Sequence, residues 1–276
     1  MAPALLHASL AADRYLIDGY LERLLEDELA LGKGAVPQAM RYGVLGPAQR
    51  IRPIISIRLA RVFDTPLEAV IPLGAAVELL HCASLIVDDL PCMDDSPFRR
   101  NKPAVHIQFG EATSVLAAFG LVALAARTVV DRGSARDSAE RLLGFQIQLL
   151  RSMDCSGLIG GQALDLQFTG HVSLPGPFDI SELKTVPLFR LAVSAGAFFA
   201  DLDSNEEALL NCFGHEFGLA FQITDDLLDG ESRQRAILDE KLSTLRAVIA
   251  PFGHRRSHLE ELIDFLDGRV SGGPQE

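Results

Sequence analysis

The sequence predicts an all-α bundle of more than four helices, and three observations carry that expectation. Apolar residues recur at helical spacing through most of the chain. The breakers between the apolar runs, LPCMDD, SLPGPFD and APFG, look like irregular connections and not like hairpin turns. No series of short alternating Val/Ile/Thr strands occurs, and no GxGxxG follows a strand.

Taken in order, the first helix is predicted over 9–30, where Tyr15, Leu16, Tyr20, Leu21, Leu24 and Leu25 alternate with charges at helical spacing. A second begins at Pro53 and runs to Arg61. Thr65 can cap the next, with Pro66 at its first position and Glu68 at its third, ahead of a long apolar stripe over 70–87. The run ATSVLAAFGLVALAARTVV over 112–130 is interrupted by Arg127, which leaves its uncharged part short of the roughly 20 residues that cross a bilayer. It is expected as a buried helix, not a membrane span. Further helices are predicted over 138–153, 181–200, 205–228, 234–249 and 254–265.

Composition narrows the function classes. The chain has 276 residues, 48% apolar and 22% charged, with no Gly/Ser linker or abrupt change of composition, so a single domain over 1–276 is expected. Its 25 basic and 37 acidic residues give a net charge of −12, which disfavours broad contact with DNA, RNA or anionic lipid. An anionic small substrate is not disfavoured, because local arginines or bound cations reverse the field within an acidic protein. Cys82, Cys92, Cys155 and Cys212 form no CxxC pair and read as free thiols. With no basic n-region and no long apolar stretch at the start, a cytoplasmic protein is expected.

Two acidic segments stand out. In LIVDDLPCMDDSPFRR, the apolar Leu85-Ile86-Val87 delivers Asp88 and Asp89 to the end of a helix, Pro91 prevents simple continuation, and the chain can turn to bring Asp94 back beside them. Arg99 and Arg100 follow. In FGLAFQITDDLLDG, Asp225 and Asp229 are one helical turn apart and share a face, while Asp226 lies about 100° around from Asp225. Like charges this close on an apolar helix need solvent, protons or a cation. Oxygen-only ligands suit Mg²⁺, which keeps water while binding phosphate.

Either cluster alone reads as readily as a solvated helix end. Its occurrence twice after similar apolar stripes, once followed by paired arginine, favours a metal and polyphosphate site. Gln49, Arg50 and Arg52 just before Pro53, and Lys184 with Thr185, offer further phosphate donors beside such a site.

With these residues in view, the chain resembles the short-chain trans-prenyl diphosphate synthase family, which includes farnesyl and geranylgeranyl diphosphate synthases. The resemblance runs from about Gly46 through Asp229 and rests on Asp88, Asp89 and Asp94 with Arg99-Arg100, and on Gln222, Asp225, Asp226 and Asp229. It implies an isoprenoid-synthase-type helical bundle around a deep central apolar cavity, in a homodimer. It further implies that Asp88, Asp89, Asp94, Asp225 and Asp229 hold Mg²⁺, three ions with substrate bound, on the diphosphate of an allylic substrate. Arg99, Lys184 and Lys241 would contact that diphosphate; Arg50 or Arg52, His81 and Arg100 would hold isopentenyl diphosphate; Thr185 and Gln222 would flank the reacting groups. No catalytic base is assigned to His81 or His106, because the departing diphosphate can accept the proton.

Ala83 and Ser84, five and four residues before Asp88, would lie toward the family's elongation cavity; their small side chains leave room for a product beyond fifteen carbons, and the resemblance favours geranylgeranyl over farnesyl diphosphate. The chain departs from the family in having Gln49 where a lysine is common, and in a short segment after Asp229 that lacks a Gly-Lys loop. A weakly active regulatory subunit of a prenyltransferase complex and a terpene cyclase are the competing readings.

Overall fold

The computed structural model describes residues 3–131, 139–169, 180–228 and 234–271. Among these the order is α1 (Pro3–Leu31), α2 (Ala35–Val44), α3 (Ile51–Val62), α4 (Leu67–Asp88), β1 (Phe98–Arg99), β2 (Lys102–Pro103), α5 (Val105–Phe109), α6 (Glu111–Asp131) and α7 (Ala139–Met153). Then follow α8 (Leu158–Thr169), α9 (Ile180–Lys184), α10 (Val186–Gly196), α11 (Ser204–Leu228), α12 (Arg235–Ile249), a 3-10 segment (Ala250–Arg256) and α13 (Ser257–Ser271). The all-α expectation holds. The segment SLPGPFD and Asp229 lie outside the described residues.

The chain divides into two compact units. One, the amino-terminal unit, comprises Ala8–Ile54 and Ile71–Leu149; the other, the carboxy-terminal unit, comprises Ile55–Val70 and Leu150–Glu276 with Met1–His7.

In the amino-terminal unit α2 packs against α5 and α6. Gly43 permits a close approach of α2 to α4, since a Cβ there would lie 2.7 Å from Ile86 Cδ1. The unit is tied by Arg50, which is 2% exposed. Its Nε donates to Asp18 of α1 at 2.8 Å, its Nη1 to Glu78 of α4 at 2.7 Å, and its Nη2 to the Val44 carbonyl at the end of α2 at 2.7 Å. Burial alone would lower its pKa, but the charge and hydrogen bond of Glu78 lead the groups that outweigh burial, and the net shift is upward. One side chain thus ties three helices together, at the end of α2 and midway along α1 and α4.

The run over 112–130 forms α6, but it buries one face only. Ala117, Ala118, Leu121, Leu124, Ala125 and Val129 are buried, whereas Val115, Leu116, Phe119 and Val130 are exposed. The expectation of a buried helix is corrected accordingly: one face packs with alanines, Leu121, Leu124 and Val129, and the other carries exposed apolar side chains. Helices α4 and α6 are long and apolar enough to cross a membrane by length and composition, and most of α4 is buried within the protein.

In the carboxy-terminal unit α11 is the central helix, packed by α10, α12 and α13. Phe213, Phe217 and Phe221 recur every four residues along it; Phe217 and Phe221 meet Phe189 of α10 and Phe213 meets Phe217, with ring centroids 5.1–5.6 Å apart. Each such buried ring stabilises the fold by about 1.5–3 kcal/mol. Gly196 lets α10 lie on α3, where a Cβ would come within 2.7 Å of Leu59 Cβ and the Ser56 carbonyl. The predicted helix over 181–200 breaks at Thr185 into α9 and α10, because Pro187 has no N–H to donate and its ring crowds the carbonyl of Leu183.

Removal of the Arg50 counter-ion should therefore unfold the amino-terminal unit more readily than any surface change. Glu78→Ala leaves a buried guanidinium without its main partner, an expected loss of about 3–5 kcal/mol in denaturant unfolding. A loss under about 1 kcal/mol would show that the pair does not tie the helices.

Candidate active site

The first acidic motif is built by the end of α4. The helix stops at Asp88 with no basic residue in its last turn. Beyond it the Met93 N–H donates to the Leu90 carbonyl at 2.8 Å, and the Asp94 N–H donates to the Asp88 carbonyl at 2.9 Å. The chain has turned back, as Pro91 predicts, and Asp94 returns beside Asp88. Asp95, in the same turn, takes a φ of 48°. Asp89 is 2% exposed. Arg99 grips it as a fork, with Nε 3.0 and 3.2 Å from its two oxygens and Nη2 2.5 Å from Oδ1. The hydrogen bonds that Arg99 donates to Asp89 raise the Arg99 pKa against the opposing effect of burial.

The placement of Arg99 and Arg100 depends on a two-stranded ribbon that the sequence reading missed. Strands β1 and β2 pair antiparallel, Phe98 with Pro103 and Arg99 with Lys102. Arg100 and Asn101 form the two-residue loop, with φ of 54° and 60°. A type I′ turn needs positive φ at both central residues. Asn accepts that readily, while for Arg it costs about 1–2 kcal/mol, so the ribbon holds Arg100 in a conformation it would not choose alone.

The cationic side of this unit is dense. Arg50, Arg52, Arg99 and Arg100 all lie near enough to His81 to act on its proton. Burial first, and these cations next, hold the His81 pKa well below 6.5, so it is neutral at neutral pH. Lys102 donates to the carbonyls of Tyr42 and Leu45 and sits 4.0 Å from the centre of the Tyr42 ring. A cleft of about 310 Å³ opens here, lined by Tyr42, Ile86, Asp89, Arg99, Arg100 and Lys102 among others.

Of the expected pair Arg50 or Arg52, Arg50 is turned inward with its donors engaged by Asp18, Glu78 and the Val44 carbonyl. Arg52 is 8% exposed, and Gln49 is exposed. Ala83 is buried on α4, and Ser84 Oγ donates to the His81 carbonyl at 2.9 Å.

The second acidic motif occupies the end of α11, again without a basic residue in the last turn. Thr185 Oγ1 donates to Gln222 Oε1 at 2.9 Å, and Gln222 Nε2 donates to Asp226 Oδ1 at 2.9 Å, so the structure brings Thr185 and Gln222 together. Lys184 donates to Asp165 of α8 at 2.6 Å. Asp225 accepts a 2.7 Å hydrogen bond from Arg269 of α13.

Lys241 is elsewhere. It donates to Glu216 of α11 at 2.8 Å, and Glu216 also meets His215 Nδ1 at 3.0 Å. Glu216 precedes Asp225 by roughly 13 Å along the helix. Helix α12 packs along α11, and its lysine, expected at the allylic diphosphate, is held here by a carboxylate well before the motif.

Asp165, Arg269 and Glu216 were not singled out by sequence reasoning. Asp165 had a signal, as a lone carboxylate in the apolar run LIGGQALDLQF. Arg269 had none, lying 44 residues from the carboxylate it meets.

Among the described residues no three His, Cys, Asp or Glu side chains gather as a ready-made metal group. The donor chemistry nevertheless fits a hard cation. Every candidate ligand is a carboxylate oxygen, and a guanidinium stands in for the positive charge at Asp89 and at Asp225.

An all-helical protein whose long apolar helices end in carboxylates countered by arginine is the class that fold and site define. The polyprenyl synthetase family model matches residues 34–240, through both units. The chain is 37% identical over 204 residues to a farnesyl diphosphate synthase of Bacillus subtilis, covering 74% of this chain and 69% of that one. It is 34% identical over 214 residues to the heterodimeric geranylgeranyl pyrophosphate synthase large subunit 2 of Arabidopsis thaliana, covering 76% and 56%. An apo FPP/GFPP synthase structure from Zymomonas mobilis superposes with a TM-score of 0.85 at 28% identity, covering 94% of this chain and 98% of that one. The chain belongs to the polyprenyl synthetase family, with the all-α isoprenoid-synthase fold, which places it among the trans-prenyltransferases. It spans between about half and about two thirds of the length of the curated relatives it matches.

The His81 environment generates a pH dependence. Above about pH 6.5 the residue is neutral folded and unfolded, and contributes nothing. Below it the unfolded chain takes up a proton that the folded one refuses, so stability falls as pH falls. Unfolding in urea at pH 7.5 and 5.5 should show the parent protein losing about 1 kcal/mol more than His81→Gln. Equal losses would place His81 in a less hostile setting.

Proposed function

We propose that this chain condenses isopentenyl diphosphate with an allylic prenyl diphosphate to make a short-chain trans-prenyl diphosphate, with Mg²⁺ as its metal and geranylgeranyl diphosphate as the favoured product. The observation that supports this most is the repeated arrangement in which a carboxylate motif ends a long apolar helix and is met by a guanidinium, in a chain of the polyprenyl synthetase family.

In this reading Asp88, Asp89, Asp94 and Asp225 hold the metal, with Asp229 as a further ligand. Bound Mg²⁺ supplies the charge that stabilises the departing diphosphate. Arg99 and Lys184 exchange their carboxylate partners for oxygens of the allylic diphosphate, at no cost in buried charge. Arg52 and Arg100 take isopentenyl diphosphate, and neutral His81 offers a hydrogen bond without adding repulsion to four arginines. Thr185 and Gln222, already joined, fix the approach of the reacting groups. The allylic C–O bond ionises, the isopentenyl double bond attacks the cation, and a proton leaves to the departed diphosphate.

One polyprenyl synthetase domain, a cytoplasmic setting and a homodimer complete the proposal. Support for the dimer comes from exposed apolar stripes, Val115, Leu116 and Phe119 on α6 and Leu143, Ile147 and Leu150 on α7, of the kind a symmetric interface covers. The Lys241–Glu216 pair favours one second reading, a weakly active subunit of a heteromeric prenyltransferase, because it removes a cation expected on the allylic side.

Incubation of the purified chain with labelled isopentenyl diphosphate and allylic diphosphates tests the activity. Longer prenyl diphosphates are expected; a chain that turns over only with a partner subunit would support the second reading. Asp88→Asn or Asp225→Asn should lower Mg²⁺-dependent turnover by about 100-fold or more while leaving the circular dichroism unchanged. Full turnover in either variant would remove that carboxylate from the metal set.

Product length is tested separately at Ala83. Ala83→Phe adds bulk on α4 five residues before Asp88 and should shift the product from twenty towards fifteen or ten carbons. The same distribution from a correctly folded variant would show that Ala83 is no part of the floor.

A further inference from the structure

The second acidic motif carries a cation that neither composition nor motif spacing announces. Arg269 Nη2 lies 2.7 Å from Asp225 Oδ1, and its side chain is only 13% exposed. Its guanidinium lies 4.8 Å from the ring centre of Phe221 and 6.0 Å from that of Phe265. Phe221 precedes Asp225 by one turn on α11, and Phe265 precedes Arg269 by one turn on α13. Each helix therefore contributes an aromatic ring and a charge at i and i+4, and the four groups clamp one another. A surface ion pair has no such frame.

We propose that Arg269 is a positioning residue for the second acidic motif: it orients Asp225 and brings it, from α13, a positive charge that the last turn of α11 does not supply. This deepens the reading of Asp225 as a metal ligand and rests on it. Three observations carry it. The α11 end has no basic residue in its last turn, and the cation that meets Asp225 comes from another helix. Lys241, a cation nearer in sequence, is held by Glu216. Arg269 Nη1 is buried with no hydrogen-bond partner, so the guanidinium holds Asp225 through Nη2.

The fork and stack also specify arginine. Lysine has neither the planar face for Phe221 nor a fixed donor fork.

Calorimetric titration of the full chain with inorganic pyrophosphate in the presence of Mg²⁺ tests the proposal without relying on turnover. The parent chain is expected to bind, with Asp225→Asn and Arg269→Gln each weakening binding about tenfold or more. The double variant should bind no more weakly than Asp225→Asn alone, because Arg269 acts through Asp225. Arg269→Lys should recover little. Binding by Arg269→Gln as tight as the parent's, or tighter, while Asp225→Asn weakens it, would overturn the proposal and leave the metal reading standing. If Asp225→Asn also binds like the parent, the metal reading itself fails. Should Arg269→Gln not fold, as judged by circular dichroism, Arg269→Lys decides on the same tenfold criterion.

Discussion

Carboxylates at the carboxy-terminal end of an apolar helix face an electrostatic penalty twice over. They repel one another, and they add to the negative end of the helix dipole. Both acidic motifs sit in that position, at the ends of α4 and α11, and neither helix has a base in its last turn. The compensation must come from elsewhere in the chain. At Asp89 it is a ribbon of two-residue strands whose one evident task is to carry Arg99 and Arg100; at Asp225 it is the last described helix.

Part of the forced backbone lies around the first acidic motif. Besides Asn101 and, in the other unit, Asp64, the residues Arg50, Asp95 and Arg100 take positive φ, a region that costs a non-glycine residue about 1–2 kcal/mol. Arg50 opens α3 and Asp95 closes the turn that returns Asp94, while Arg100 sits at the tip of the ribbon. All three are charged residues in the amino-terminal unit around the acidic motif. Strain is tolerated where surrounding contacts over-determine the geometry, and the three hydrogen bonds of Arg50 show what over-determination means here.

Periodicity made the long helices legible, because α1, α4, α6 and α11 carry enough apolar residues for the repeat to emerge. Short helices such as α2, α5 and α8 were missed, as five to twelve residues offer too few turns to separate a helix from a loop. Within the site, the local turn was readable, since Pro91 implied the return of Asp94. Pairings between helices were not. Thr185 with Gln222, Asp165 with Lys184, Glu216 with Lys241 and Arg269 with Asp225 are set by which helix faces pack, and a single sequence holds no record of that. Arg50 and Arg52 illustrate the same limit, since two guanidiniums two residues apart look equally available until burial distinguishes them.

Lys241 and Arg269 together show how a shortened segment alters a charge balance without emptying it. A lysine on α12 reaches Glu216 because that carboxylate lies along the packed face of α11, roughly 13 Å before the motif. The motif then draws its cation from α13, which also packs on α11 and can present a side chain at its end. The exchange replaces a mobile ammonium on a flexible stem with a planar guanidinium stacked on Phe221. Charge is conserved, but freedom is not. A clamped cation holds Asp225 in one orientation before any ligand arrives, so less ordering remains to be done on binding. The site thereby trades reach toward the ligand for a carboxylate that is already in place.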